Sequence, residues 1–186
     1  MAEHICPWWI GYLLATPVRR LWQKPETILE PYVKPGMTVL DVGPGMGYFT
    51  LPMARMVGEG GRVVCVDVQE RMLNSLKGRV HRAGLDKRIV ARVASSETLG
   101  LADYAGQIDF ALAFAVVHEV PNQENLFREI HQAMKPGANL LICEPTGHVT
   151  PDAFKQTVSI AKLIGFDEIS SPEIKRSISV LLKKKQ

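Results

Sequence analysis

At 186 residues, 46% of them hydrophobic and 22% charged, the chain is one globular domain, long enough for a proper core and too short for two. A net charge of +3 with no basic stripe argues against a nucleic-acid partner, and the run Lys183–Lys185 reads as a solvated strand end. Cys6, Cys65 and Cys143 show no paired spacing, which excludes a disulfide framework and fits a reducing cytoplasm.

The chain opens on a segment of distinct texture. Residues 1–36 hold all three tryptophans, Trp8, Trp9 and Trp22, with helix starts at Thr16-Pro17 and Pro25. The stretch from Ile5 to Ala15 is apolar, but Pro7 interrupts it and it falls short of the ~20 residues a spanning helix needs, so neither an export leader nor membrane insertion is expected. A linker would be polar. The segment is expected to be an N-terminal arm or lid on a domain formed by residues 37–186.

From there, β-branched runs alternate with helical periodicity. The pattern predicts strands at 37–42, 61–67, 88–94, 108–114 and 138–144, and helices at 46–57, 69–83, 122–134 and 150–164. Met72, Leu73, Leu76 and Val80 form one apolar stripe, and Leu126, Phe127, Ile130, Ala133 and Met134 form another; both are core. Thr150-Pro151 starts the last helix and Gly165 ends it. Phe166–Ser170, a turn at Ser171-Pro172-Glu173, and Ile174–Lys183 then read as strand, turn, strand. So short a link cannot make a parallel crossover, so the last strand is expected to be antiparallel. The fold class is α/β: a doubly wound, mostly parallel sheet with helices on both faces and an antiparallel last strand.

The most informative stretch is Val39–Thr50. A β-branched run ends in Asp41, and Gly43, Gly45 and Gly47 then open a helix at every second position. Such a turn lets a polar or anionic group approach backbone N–H groups and a helix N-terminus. Asp67 ends the next strand twenty positions past Gly47, where an acid can accept hydrogen bonds from both ribose hydroxyls of an adenosine. The alternative role for Asp67 is to cap the helix that follows.

In order and spacing, these segments resemble the class I S-adenosylmethionine-dependent methyltransferases, in their small-molecule, type 11-like branch. The resemblance rests on Val39–Thr50, on VVCVDVQERM from Val63 to Met72, on IDFALAFAVVHEV from Ile108 to Val120, on MKPGANLLICE from Met134 to Glu144, and on the closing hairpin. It covers residues 37–183 and implies a seven-stranded Rossmann-like sheet. It implies S-adenosylmethionine as cofactor, leaving as S-adenosylhomocysteine. Gly43, Gly45 and Gly47, with Tyr48 and Phe49 on the same turn, would lie along its methionine part. Asp41 would take the ammonium group and Asp67 the ribose, with Val68, Gln69 and Met72 beside the adenine. Ser95, Ser96 and Glu97 stand where the family has an acid or amide near the adenine amino group. Phe114, Ala115 and Val116 would border the sulfonium.

The acceptor is less legible. Ala115-Val116-Val117-His118 stands where some relatives carry Asn/Asp-Pro-Pro-Tyr/Phe, which argues against exocyclic base nitrogens and for a small, apolar or aromatic molecule. His118 is the candidate catalytic base, although displacement at a sulfonium needs chiefly alignment and exclusion of water. Trp8, Trp9, Tyr12, Trp22 and His148 are candidate acceptor contacts. The tryptophans equally suit pinning the arm to the sheet, and Trp8, Trp9, Arg19 and Arg20 suit a membrane surface. No metal is expected, since no Cys-x-x-Cys or His-x-x-x-His pair is present. Oligomeric state stays open. The competing functions are an NAD(P)-dependent oxidoreductase and a non-catalytic nucleoside-binding protein of the same fold.

Overall fold

Val39–Val42, Val63–Val66 and Phe110–Phe114 are unbroken buried runs, the pattern of parallel strands covered on both faces. The computed structural model describes residues 22–186 except Ser96. The expectations for Trp8, Trp9, Tyr12, Arg19, Arg20 and Ser96 therefore lie outside the described residues.

In chain order the described elements are α1 (Pro25–Leu29), β1 (Thr38–Val42), α2 (Thr50–Met56), β2 (Arg62–Asp67), α3 (Glu70–Arg82), β3 (Ile89–Val93), β4 (Ile108–Phe114), α4 (Gln123–Ala133), β5 (Met134–Pro145), α5 (Pro151–Ile164), β6 (Phe166–Ser170) and β7 (Ser177–Lys184). The strands form one sheet in the order β3-β2-β1-β4-β5-β7-β6. β1 to β5 are parallel, and β7 runs antiparallel between β5 and β6. Among the described residues no helix is long and apolar enough to cross a membrane.

The alternation of side chains along each strand feeds two separate cores. Leu40, Val64, Ala111 and Leu140 face α4 and α5, whereas Val39, Val63, Phe110 and Leu141 face α1, α2 and α3. Asn122 caps α4 by accepting from the Asn125 amide at 2.9 Å, and Thr150 caps α5 by accepting from Ala153 at 3.2 Å. The end of the arm belongs to the second core. Leu29 and Val33 are buried there, and Tyr32 stacks on Phe110 with ring centroids 5.5 Å apart.

Three boundaries differ from the sequence pattern. The helix expected from residue 46 starts at Thr50, because the positive φ angles of Gly45 and Gly47 hold residues 45–49 in turns. β5 begins at Met134 rather than 138: Met134 pairs with Ile108 before Gly137, at φ 76°, shifts the register. β7 begins at Ser177 rather than 174, because Ile174–Arg176 form a turn closed by the Ser177 amide on the Ile174 carbonyl at 3.0 Å.

Candidate active site

In the strand order the chain leaves β1 toward β2 on one side and reaches β4 on the other. The carboxyl ends of β1 and β4 therefore open a crevice at the topological switch point. Asp41, the glycine turn, Asp67 and Phe114–Val116 all converge there.

The three glycines do different work, although all have positive φ. A Cβ on Gly43 would meet Val116 Cγ2 at 2.6 Å, and one on Gly47 would meet Leu76 Cδ1 at 2.4 Å. A Cβ on Gly45 would meet nothing within 4 Å. Gly43 and Gly47 thus let the turn pack against β4's end and α3, and Gly45 is the point that faces open space. Arg79 steadies the turn from α3, donating to the Met46 carbonyl at 2.8 Å.

Two carboxylates flank this turn. Asp41 is buried and accepts from the Thr50 hydroxyl at 2.6 Å. Burial pushes its pKa up to about 7 against the opposing effect of that hydroxyl. Asp67 accepts from the Gln69 amide at 2.9 Å through Oδ1 and from the Gly45 amide at 3.2 Å through Oδ2. Burial raises its pKa, and these two amides oppose the shift. Gln69 flanks α3 with no side-chain cap, so Asp67 ties the end of β2 to the glycine turn as well as to the start of the helix.

The remaining expected contacts vary in placement. Phe49 and Phe114 are buried against each other, ring centroids 4.4 Å apart, with Tyr48 edge-on to Phe49 at 5.2 Å. Met72 is buried and Val68 is 47% exposed beside Asp67. Ser95 Oγ accepts from the Glu97 and Thr98 amides at 3.2 and 3.1 Å, so its side chain shapes the turn after β3. That turn is strapped to α4: Asn125 donates to the Glu97 carbonyl at 2.7 Å, and the Glu129 carboxylate accepts from Thr98 Oγ1 at 2.8 Å and the Leu99 amide at 2.9 Å. Ala115, at φ 57°, breaks β4 with its amide on the Cys143 carbonyl at 2.7 Å.

Trp22 lies under the Arg176 guanidinium, 4.4 Å from its ring centroid. Beside it, Gln23 donates to the Lys175 carbonyl at 2.8 Å and to Ser177 Oγ at 3.1 Å, and its own carbonyl accepts from Tyr48 Oη at 2.5 Å. The arm therefore bridges the start of β7 and the glycine turn.

His118 has a partner that sequence reading missed. Glu144, at the end of β5, accepts from the Val117 amide at 2.8 Å through Oε1 and from His118 Nδ1 through Oε2. This hydrogen bond holds the imidazole pKa above its usual value despite partial burial. The one available signal was an acid closing the apolar run Leu140–Cys143. His148 stands edge-on to His118 with centroids 6.0 Å apart. Both histidines, with Asn122, Gln123, Gln156 and Thr157, line an open groove of about 630 Å³ between α4 and α5.

The family described as "Methyltransferase domain" matches residues 33–179. The ubiquinone/menaquinone biosynthesis C-methyltransferase UbiE of Hydrogenovibrio crunogenus is 28% identical over 169 residues, covering 87% of this chain and 65% of that protein. The protein of the same name from Escherichia fergusonii is 32% identical over 132 residues, covering 71% of this chain and 51% of that one. The chain thus spans half to two thirds of the length of these relatives. In three dimensions it is similar to a SAM dependent methyltransferase from Aquifex aeolicus, with TM-score 0.85 and 26% identity over 96% of this chain and 99% of the other. The glycine turn at the switch point, the seven-stranded sheet with its antiparallel β7, and a family match running from Val33 to Ser179 agree: the chain belongs to the methyltransferase domain family, among the class I S-adenosylmethionine-dependent methyltransferases.

Proposed function

We propose that the chain transfers a methyl group from S-adenosylmethionine to a small, apolar or aromatic acceptor. The observation that carries this reading is the glycine turn, which side chains close at Gly43 and Gly47 and leave open at Gly45, between the carboxylates of Asp41 and Asp67. That cradle fits a ligand with a cationic amino-acid end and a ribose. Asp41 offers a buried carboxylate to the ammonium group. Asp67 has one amide on each oxygen, and a carboxylate has about four acceptor sites, so it retains capacity for two ribose hydroxyls. Val68, Gln69 and Met72 border the adenine position, the turn after β3 flanks it, and Phe114–Val116 border the reacting centre.

Bound there, S-adenosylmethionine supplies a methyl group already activated on a sulfonium, with S-adenosylhomocysteine as the product. The chain's own contribution is alignment and exclusion of water. Trp22 and Gln23 tie the end of the arm to the start of β7 and to the glycine turn, and His118 accepts a proton where the acceptor must lose one. The names of the curated relatives speak of quinone biosynthesis, in keeping with an aromatic acceptor.

Calorimetry with S-adenosylmethionine, S-adenosylhomocysteine, NAD and NADP tests the reading. Binding of the first two alone is expected. Binding of NAD or NADP in their place, or of none of the four, would overturn it.

A further inference from the structure

Glu144 is 1% exposed, and both of its oxygens are engaged by the residues that follow β4. An ionised carboxylate only accepts hydrogen bonds, so Nδ1 of His118 carries the hydrogen. In the neutral ring the lone pair then sits on Nε2, on the side away from Glu144. Nε2 lies 3.9 Å from Glu119 Oε1, and the ring itself forms one wall of the α4–α5 groove. Around that ring the charged and titratable groups are Glu119, Glu144 and His148, with Glu124 farther along the groove. Glu144 and Glu119 favour a protonated imidazole, and among the described residues no Lys or Arg lines the groove. Its polar surface is otherwise amide and hydroxyl, from Asn122, Gln123, Gln156 and Thr157, interrupted by Ala153 and Ile160. Such a lining suits a compact molecule without a formal negative charge.

We propose that the ionisable end of the methyl acceptor binds in the α4–α5 groove, that His118 Nε2 takes up its proton there, and that Glu144 is the positioning residue that holds the neutral ring's hydrogen on Nδ1, leaving Nε2 as the accepting nitrogen. This rests on the methyl-transfer reading above. The acceptor class is a small, uncharged ring compound bearing a weakly acidic hydroxyl or enol. The oxygen–hydrogen bond breaks with its electron pair staying on oxygen, and the proton bonds to Nε2. Glu144 balances the imidazolium charge, and the proton later leaves Nε2 for water. A carboxylate or phosphate in the same place calls for a Lys or Arg, and none of the described residues lining the groove is one.

The test uses the full chain and 4-nitrophenol, whose ionised form absorbs visible light, with protein labelled with ¹⁵N at histidine. The wild type should show the Nδ1–H tautomer at His118, and the bound phenol should be ionised at a pH where the free phenol is neutral. Glu144→Gln keeps an oxygen for the Val117 amide but donates its NH₂ to Nδ1, forcing the hydrogen onto Nε2. It should flip the tautomer and cut the ionised fraction of bound phenol at least tenfold, and Glu144→Asp should restore part of it. Ala153→Trp and Gln156→Trp, both at exposed positions, should block phenol binding while leaving S-adenosylhomocysteine binding intact. Phenol binding unchanged in both tryptophan variants, bound phenol equally ionised in Glu144→Gln, or no phenol binding by wild type that binds S-adenosylhomocysteine would each overturn this inference alone. Loss of S-adenosylhomocysteine binding by the wild type would instead overturn the methyl-transfer reading.

Discussion

Asp67 Oδ2 accepts a hydrogen bond from the Gly45 amide at 3.2 Å, so the acid that ends β2 also holds the one glycine of the turn that faces open space. Asp67→Ala removes a charged acceptor from both the turn and any ribose. Hydrogen bonds to charged groups contribute roughly 1.5–3 kcal/mol each, so losing two ribose bonds should weaken S-adenosylhomocysteine binding by about 100- to 10,000-fold. Faster amide exchange at Gly45 should accompany it. Calorimetry and hydrogen exchange read the two effects, and wild-type affinity in this variant would place the ribose elsewhere.

The glycines predict a contrast. Gly47→Ala combines φ 87° with a Cβ 2.4 Å from Leu76 Cδ1, so strain and overpacking together should cost about 2–4 kcal/mol. Gly45→Ala, at φ 52° with no neighbour within 4 Å, carries only the backbone cost of about 1 kcal/mol. The expected outcome is a large loss of unfolding free energy in the first, and a small loss with impaired cofactor binding in the second. Denaturant titrations measure both, and equal destabilisation would refute the distinction.

Asp41 gives a pH dependence with a definite sign. Its folded pKa, about 7, is above the ordinary 3.8, so between these values the folded chain binds more protons than the unfolded one. Asp41's contribution to stability is fully present below pH 3.8 and is lost as pH rises through 7. Asp41→Asn keeps an oxygen for Thr50 and should flatten that slope. Unfolding free energies of both proteins at pH 5 and pH 8 decide it, since parallel profiles would contradict the assignment. Binding of a cation at Asp41 should also release a proton, visible as a buffer-dependent binding enthalpy.

Tyr48→Phe removes the bond from Tyr48 Oη to the Gln23 carbonyl and leaves the ring against Phe49. Stability should fall by about 0.5–1.5 kcal/mol. Amide exchange should accelerate around residues 22–24 while the sheet stays protected. Unchanged exchange there would show that Trp22 on Arg176 and Gln23 on β7 hold the arm by themselves.

The sheet was legible because its information is local. Buried runs such as Val63–Val66, the stripe of Leu73, Leu76 and Val80, and the short link between β6 and β7 each carry their meaning within a dozen residues. The separate duties of Gly43 and Gly47 were not legible, because Val116 and Leu76 reach them only through tertiary packing. The same holds for Glu144 and His118, 26 positions apart, which meet only because β4 and β5 are neighbours in the sheet. The start of α2 was misread for a third reason: helical periodicity continues into the glycine turn although its positive φ angles forbid a helix.

The strap between the turn after β3 and α4 has a kinetic meaning. Asn125 and Glu129 bind Glu97, Thr98 and Leu99 from the helix whose first turn walls the groove, so the adenine position proposed above and the groove share one set of hydrogen bonds. If the adenine lies there as proposed, settling the turn around it fixes that wall in the same event. Such an arrangement calls for donor before acceptor and methylated product before nucleoside. Product-inhibition patterns competitive only between the two nucleosides are its expected signature.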